Sequence, residues 1–95
     1  MRPRSANEWR DFWRSGGARG LADLLWEVWD PIGGGARDEY ETYVPRIATL
    51  LGSRAPAPAL AAELGRIREH ELGVEPSPEA DRQAAERIIA WFEAP

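Results

Sequence analysis

The sequence predicts an all-α domain: a compact bundle of about five short helices, the third kinked at Pro45. Three observations carry that prediction. Apolar residues recur at spacings of three and four along most of the chain, nothing alternates with period two over a useful length, and no segment is rich in β-branched residues. Hydrophobic residues make up 43% of the 95 and charged residues 29%, and five tryptophans add apolar area that a disordered segment would lack. A single domain over residues 1 to 95 is therefore expected, with residues 1 to 5 flexible.

The first helix starts at Ser5, which with Glu8 three residues on forms a capping box; Trp9, Phe12 and Trp13 then recur at helical spacing until Gly16 and Gly17 stop the segment. After Gly20, Leu21, Leu24, Leu25 and Val28 line one face of a second helix that runs to about Trp29. Tyr40, Tyr43, Val44, Ile47, Leu50 and Leu51 keep one helical phase through Pro45, whose ring removes a hydrogen bond, so the third helix is read as kinked there. Gly52 closes it. The prolines of the RAPAPA stretch disfavour helix until about residue 58, after which Leu60, Leu64 and Ile67 mark the fourth.

Leu72, Gly73 and Val74 read as a helix end with glycine in the left-handed position and an apolar residue folding back on the last turn. Ser77 and Pro78 restart the chain as N-cap and first helical position. Ala84, Ala85, Ile88 and Phe92 form the inner face of the fifth helix, flanked by Ile89 and Trp91.

Between the second and third helices, Asp30-Pro31-Ile32-Gly33 has the residue preferences of a type I turn, and Pro31 keeps Asp30 out of helical geometry. Asp38 is placed to cap the third helix, with Glu39 and Glu41 adding negative charge at the positive end of its dipole. These acids have a structural reading. The glycines at 33, 34 and 35 read as a flexible loop, since no Gly-Lys-Ser/Thr follows and no strand precedes.

Trp29-Asp30-Pro31-Ile32-Gly33, followed by Asp38-Glu39-Tyr40 and Tyr43, resembles a family of small bacterial proteins, all helical and of unknown function. That family shares a WDPIG turn, a DEY helix start and a later glycine flanked by apolar residues, matched here by Glu71-Leu72-Gly73-Val74. The resemblance covers about residues 24 to 74. Glu41 stands where the pattern has aspartate, and Pro45 interrupts its third helix. The resemblance implies a helical fold and brings no reaction, cofactor or catalytic residue with it.

Composition removes much chemistry. There is no cysteine, which excludes disulfides, thiolate metal sites and cysteine nucleophiles, and the single histidine, His70, excludes a multi-histidine cluster within one chain. The spacing of a calcium loop, a nucleophile elbow and a zinc-binding pair are all missing, so neither a metal nor another cofactor is expected. No apolar run approaches a membrane span and the start lacks a secretory h-region, so the default expectation is a cytoplasmic protein without a membrane partner.

Charge points to a partner class. All twelve basic residues are arginine; residues 1 to 20 carry five of them against two acids, whereas residues 21 to 95 carry seven against fourteen acids. An acidic body disfavours nucleic acid phosphates and suits a basic protein. Turning the apolar stripe of the second helix inward leaves Asp23, Glu27 and Asp30 outward, with Trp26 nearer this acidic side than the core.

The reading that follows is a non-enzymatic, acidic, helical protein-interaction domain, with Asp23, Trp26, Glu27 and Asp30 as the partner-binding set; an inhibitor or immunity-type protein fits it. The alternative is a small ligand-binding protein or enzyme with a carboxylate-lined pocket beside the WDPIG turn, formed by Asp30, Glu39, Tyr40 and Glu71. For Glu71 the simpler expectation is an edge carboxylate paired with an arginine. Self-association, the basic N-terminal segment of one chain meeting the acidic body of another, is a third expectation.

Overall fold

The computed structural model describes residues 5–30 and 37–94. Helix α1 spans Ala6–Phe12 and α2 Ala18–Val28; a 3₁₀ segment, Arg37–Tyr43, leads into α3, Val44–Gly52; α4 spans Ala57–Arg66 and α5 Pro78–Glu93. Short π-helical stretches, Trp13–Gly17 and Ile67–Glu71, follow α1 and α4. No strand occurs among the described residues.

The helical segments group into four continuous runs among the described residues, rather than about five separate helices, because α1 passes into α2 without a loop. Gly16, at φ +142, bends the chain through a conformation that side-chain-bearing residues rarely adopt, and the helix resumes at once. Gly17 and Gly20 also sit inside the run, for a packing reason. A Cβ on Gly17 would stand 2.6 Å from Phe12, and one on Gly20 would stand 3.1 Å from the Trp91 ring. The two glycines that read as a stop in the sequence, Gly16 and Gly17, are a bend and a close approach.

Pro45 does not kink a continuous α-helix. The 3₁₀ segment ends at Tyr43 and Pro45 falls in the first turn of α3, where a missing N–H leaves no helical hydrogen bond unmade. The apolar phase nevertheless carries through, so Tyr40, Tyr43, Val44, Ile47 and Leu51 are all buried. Because the 3₁₀ segment starts at Arg37, Asp38 lies within its first turn instead of preceding it as a cap.

Several end signals act as the sequence suggests. The Ser5 hydroxyl accepts the Glu8 N–H at 3.1 Å, and Ser77 and Pro78 occupy the cap and first position of α5. Gly73 takes φ +64 and the Val74 N–H returns to the Arg68 carbonyl at 2.9 Å. At the end of α2, the N–H groups of Trp29 and Asp30 both donate to the Leu25 carbonyl, at 3.1 and 2.9 Å. Asp30 adopts φ +30 there, out of right-handed helical geometry, as a residue before proline should be. The rest of the Asp30-to-Gly33 turn, the glycines at 33 to 35 and, of the stretch 1 to 5 expected to be flexible, residues 1 to 4 lie outside the described residues.

The core runs through all the long helices. Leu21, Leu25, Tyr40, Ile47, Leu60, Leu64, Ile67 and Ile88 are fully buried, and each such aliphatic side chain contributes about 1.5–3 kcal/mol relative to exposure. The most extensive helix pair is α4 with α5, where Ala84 and Ala85 permit close approach. At the far end of α5 an aromatic layer joins the start of the chain to its finish: Trp13 stacks on Phe92 at 6.1 Å and 11°, and Phe12 meets the same ring edge-on at 5.8 Å. The radius of gyration, 12.7 Å, matches the roughly 12 Å of a compact chain this long.

Candidate functional site

Helix α2 presents the residues read from the sequence as a partner surface. With Leu21 and Leu25 in the core, positions 23, 26 and 27 rotate to the other side of the helix. Trp26 is 36% exposed, the large apolar side chain standing most open among the described residues. Glu27 beside it is exposed, and Asp23, one turn earlier, is half-buried. These three share one face.

Asp30 divides from them. It is half-buried, and the buried Tyr40 hydroxyl donates a short hydrogen bond to its carboxylate. The positive φ that ends α2 turns this carboxylate toward the 3₁₀ segment. Asp30 therefore ties two elements together while remaining at the edge of the acidic face.

Of the alternative pocket set, the structure brings Asp30 and Tyr40 together. Glu39 is exposed on the 3₁₀ segment. Glu71 is held by Arg46 of α3 in a two-pronged pair, the Nη2 contact measuring 2.9 Å. That is the edge pairing with an arginine. The guanidinium holds the Glu71 carboxyl below the usual glutamate range, and the carboxylate in turn raises Arg46.

Sequence reasoning missed a deeply placed charged group. Asp81, 3% exposed on α5, accepts two hydrogen bonds at one oxygen, Oδ1: from Arg68 Nε at 2.9 Å and from the Trp29 indole Nε1 at 2.8 Å. Arg68 is 6% exposed and its guanidinium also lies 5.9 Å from the centre of the Trp29 ring. Trp29 in turn contacts Tyr40 at 5.9 Å. A signal was present: Arg68 falls four residues after Leu64, and Asp81 falls three, four and seven before Ala84, Ala85 and Ile88, so opposite charges occupied the apolar stripes of neighbouring helices.

The adjacent Trp29 and Asp30 thus both tie the end of α2 to other elements. Trp29 clamps α2 to α5 through Asp81, and Asp30 clamps it to the 3₁₀ segment through Tyr40. Compared with protein families, curated proteins and solved structures, the chain finds no match. The motifs therefore have to be understood from their geometry, which makes Trp29, Asp30 and Tyr40 architectural.

Cavities lie elsewhere among the described residues. One of about 390 Å³ lies between α4 and the start of α5, with Asp81, Gly65, Glu69 and His70 among its lining residues. Another of about 590 Å³ is bordered by Trp13, Arg14, Arg19 and Glu41. Among the described residues no group of three or more acidic or histidine side chains could hold a metal ion, and no helix is long and apolar enough to cross a membrane.

Proposed function

We propose that the protein is a non-catalytic interaction domain whose α2 face, centred on Trp26 with Glu27 and Asp23, docks a basic protein; an inhibitor or immunity-type role suits that design. The observation that carries this reading is the exposure of Trp26, at 36%, between Asp23 and Glu27 on α2. An indole half out of the surface offers a large rigid contact at low entropic cost. Three acids, Asp23, Glu27 and Asp30, lie in residues 20 to 36, and Arg19 stands one turn before Asp23 at the start of the same face. Such a face repels acidic surfaces and steers a basic one.

The pocket reading lacks comparable support. Of its four residues, Asp30 and Tyr40 satisfy one another and Glu71 is engaged by Arg46.

The test uses wild type and a Trp26→Ala/Glu27→Arg variant shown to be folded. Proteins retained from source-cell lysate by wild type alone are purified and titrated against both forms over a range of salt. A basic protein whose affinity falls with salt and with the double substitution is expected. Retention unchanged in the folded variant, or a partner that is acidic, overturns the proposal.

A further inference from the structure

We propose that the cleft between α4 and the start of α5 is a binding site for a primary ammonium group on a short aliphatic stem, with the second oxygen of Asp81 as its acceptor. Asp81 is almost wholly buried, and both of its hydrogen bonds enter Oδ1, from Arg68 and Trp29. Among the described residues Oδ2 receives none. A carboxylate oxygen has room for more than one donor, so Oδ2 is free to accept from a group that enters the cleft.

Oδ2 faces Gly65. A Cβ built there would stand 3.2 Å from it, so the missing side chain leaves the oxygen uncovered at the floor of the cleft. Gly65 and Asp81 both line the 390 Å³ cavity, as do Ala61, Ala62, Pro58 and Pro78. That volume lies at the small end of ligand sites, and the alanine and proline walls suit a stem of a few methylenes rather than a polar chain.

Local charge decides the sign of the ligand. Arg68 balances Asp81, and Arg66 at the mouth is paired with Glu63 at 2.5 Å. Glu69 lines the same cleft and makes no ion pair among the described residues, which leaves one negative charge unbalanced. An ammonium supplies one positive charge and three donors, one of which can go to Oδ2. A guanidinium is a planar fork and fits a single inward-facing oxygen less well. The group can be a free amine or a lysine side chain, and the site is independent of the α2 face.

The test is a backbone amide NMR titration with n-butylammonium chloride and, separately, with a capped Gly-Lys-Gly peptide; n-butanol and sodium chloride are the controls. Saturable shifts centred on Gly65, Glu69 and Asp81 are expected for the cation, with a dissociation constant on the order of 1 mM for so small a ligand. Tighter binding of the amine identifies a free metabolite-like ligand; tighter binding of the peptide identifies a protein side chain. Gly65→Ser, whose hydroxyl can itself donate to Oδ2, should weaken binding at least tenfold, and the exposed Glu69→Gln should weaken it several-fold without risk to the fold. Absence of saturable shifts with both cations, shifts matched by butanol or sodium chloride, or unchanged affinity in both variants overturns the proposal.

Discussion

The indole of Trp29 and the carboxylate of Asp81 meet at 2.8 Å across 52 residues of chain, and Arg68 closes the group from a third element. This is a buried ion pair with an aromatic donor attached, and its importance lies in what happens when one member is removed. Asp81→Ala leaves the Arg68 charge in the core without a partner, and a cost of about 3–5 kcal/mol is expected. Replacing both charges, in Arg68→Met/Asp81→Leu, should cost clearly less than the single change. Urea unfolding of the two variants measures the difference; a single-substitution cost below about 1 kcal/mol would remove the network from the list of stabilising features.

Tyr40→Phe isolates the second clamp. The ring stays in the core while the donor to Asp30 is lost, so the expected loss is about 1.5–3 kcal/mol, the range for a hydrogen bond to a charged acceptor. The same unfolding experiment reads it. No loss would mean that water replaces the hydroxyl at no cost and that Asp30 does not depend on Tyr40 for its position.

Gly16 and Gly17 should respond to alanine for different reasons. At Gly16 nothing lies within 4 Å of the added Cβ, but the backbone sits at φ +142, so the penalty is conformational and exceeds about 1 kcal/mol. At Gly17 the added atom meets Phe12 at 2.6 Å, and overpacking costs about 1–3 kcal/mol. The Phe12 carbonyl oxygen stands as close as its ring, so Phe12→Leu should remove only part of the penalty of Gly17→Ala and leave that of Gly16→Ala unchanged.

The Arg46–Glu71 pair predicts a pH effect with a definite sign. Arg46 lowers the Glu71 pKa in the folded state. Folding then favours the ionised form, so the contribution is complete above the unfolded-state value of about 4.3 and is lost as pH falls through the lowered folded value. The stability difference between wild type and Glu71→Gln should be constant near neutrality and shrink in acid below about pH 4. A difference that grows on acidification contradicts the pairing. High salt should also shrink it, because the pair is solvent-accessible.

The α2 face predicts separable effects on binding and folding. With Trp26 36% exposed and the rest of its ring covered, Trp26→Ala should lower the thermal midpoint modestly and leave the fold intact. Partner affinity, in contrast, should drop by about 2 kcal/mol or more, as for an aromatic anchor at an interface centre. Glu27→Arg should act chiefly on association rate and on its salt dependence. A Trp26→Ala variant that melts much earlier and binds normally would assign the indole to the core.

Local sequence determined the helical class, the inner faces and several of the ends. Leu21 and Leu25, Ile47 and Leu51, and Ala84, Ala85 and Ile88 are buried where their spacing placed them, because a period of three to four residues fixes which side of a helix is apolar whatever that side packs against. Ser5 and Gly73 act through bonds within a few residues, so they too were legible. What glycine and proline do was settled only by the fold. Gly17 and Gly20 are compatible with a stop or with a close approach, and the rings of Phe12 and Trp91 decide between them. Pro45 is compatible with a kink or with a first turn, and the 3₁₀ segment before it decides. The Arg68–Asp81–Trp29 group belongs wholly to tertiary structure. Each residue reads locally as an ordinary charged or aromatic side chain, and only the packing of α2, α4 and α5 removes water from all three and makes them depend on one another.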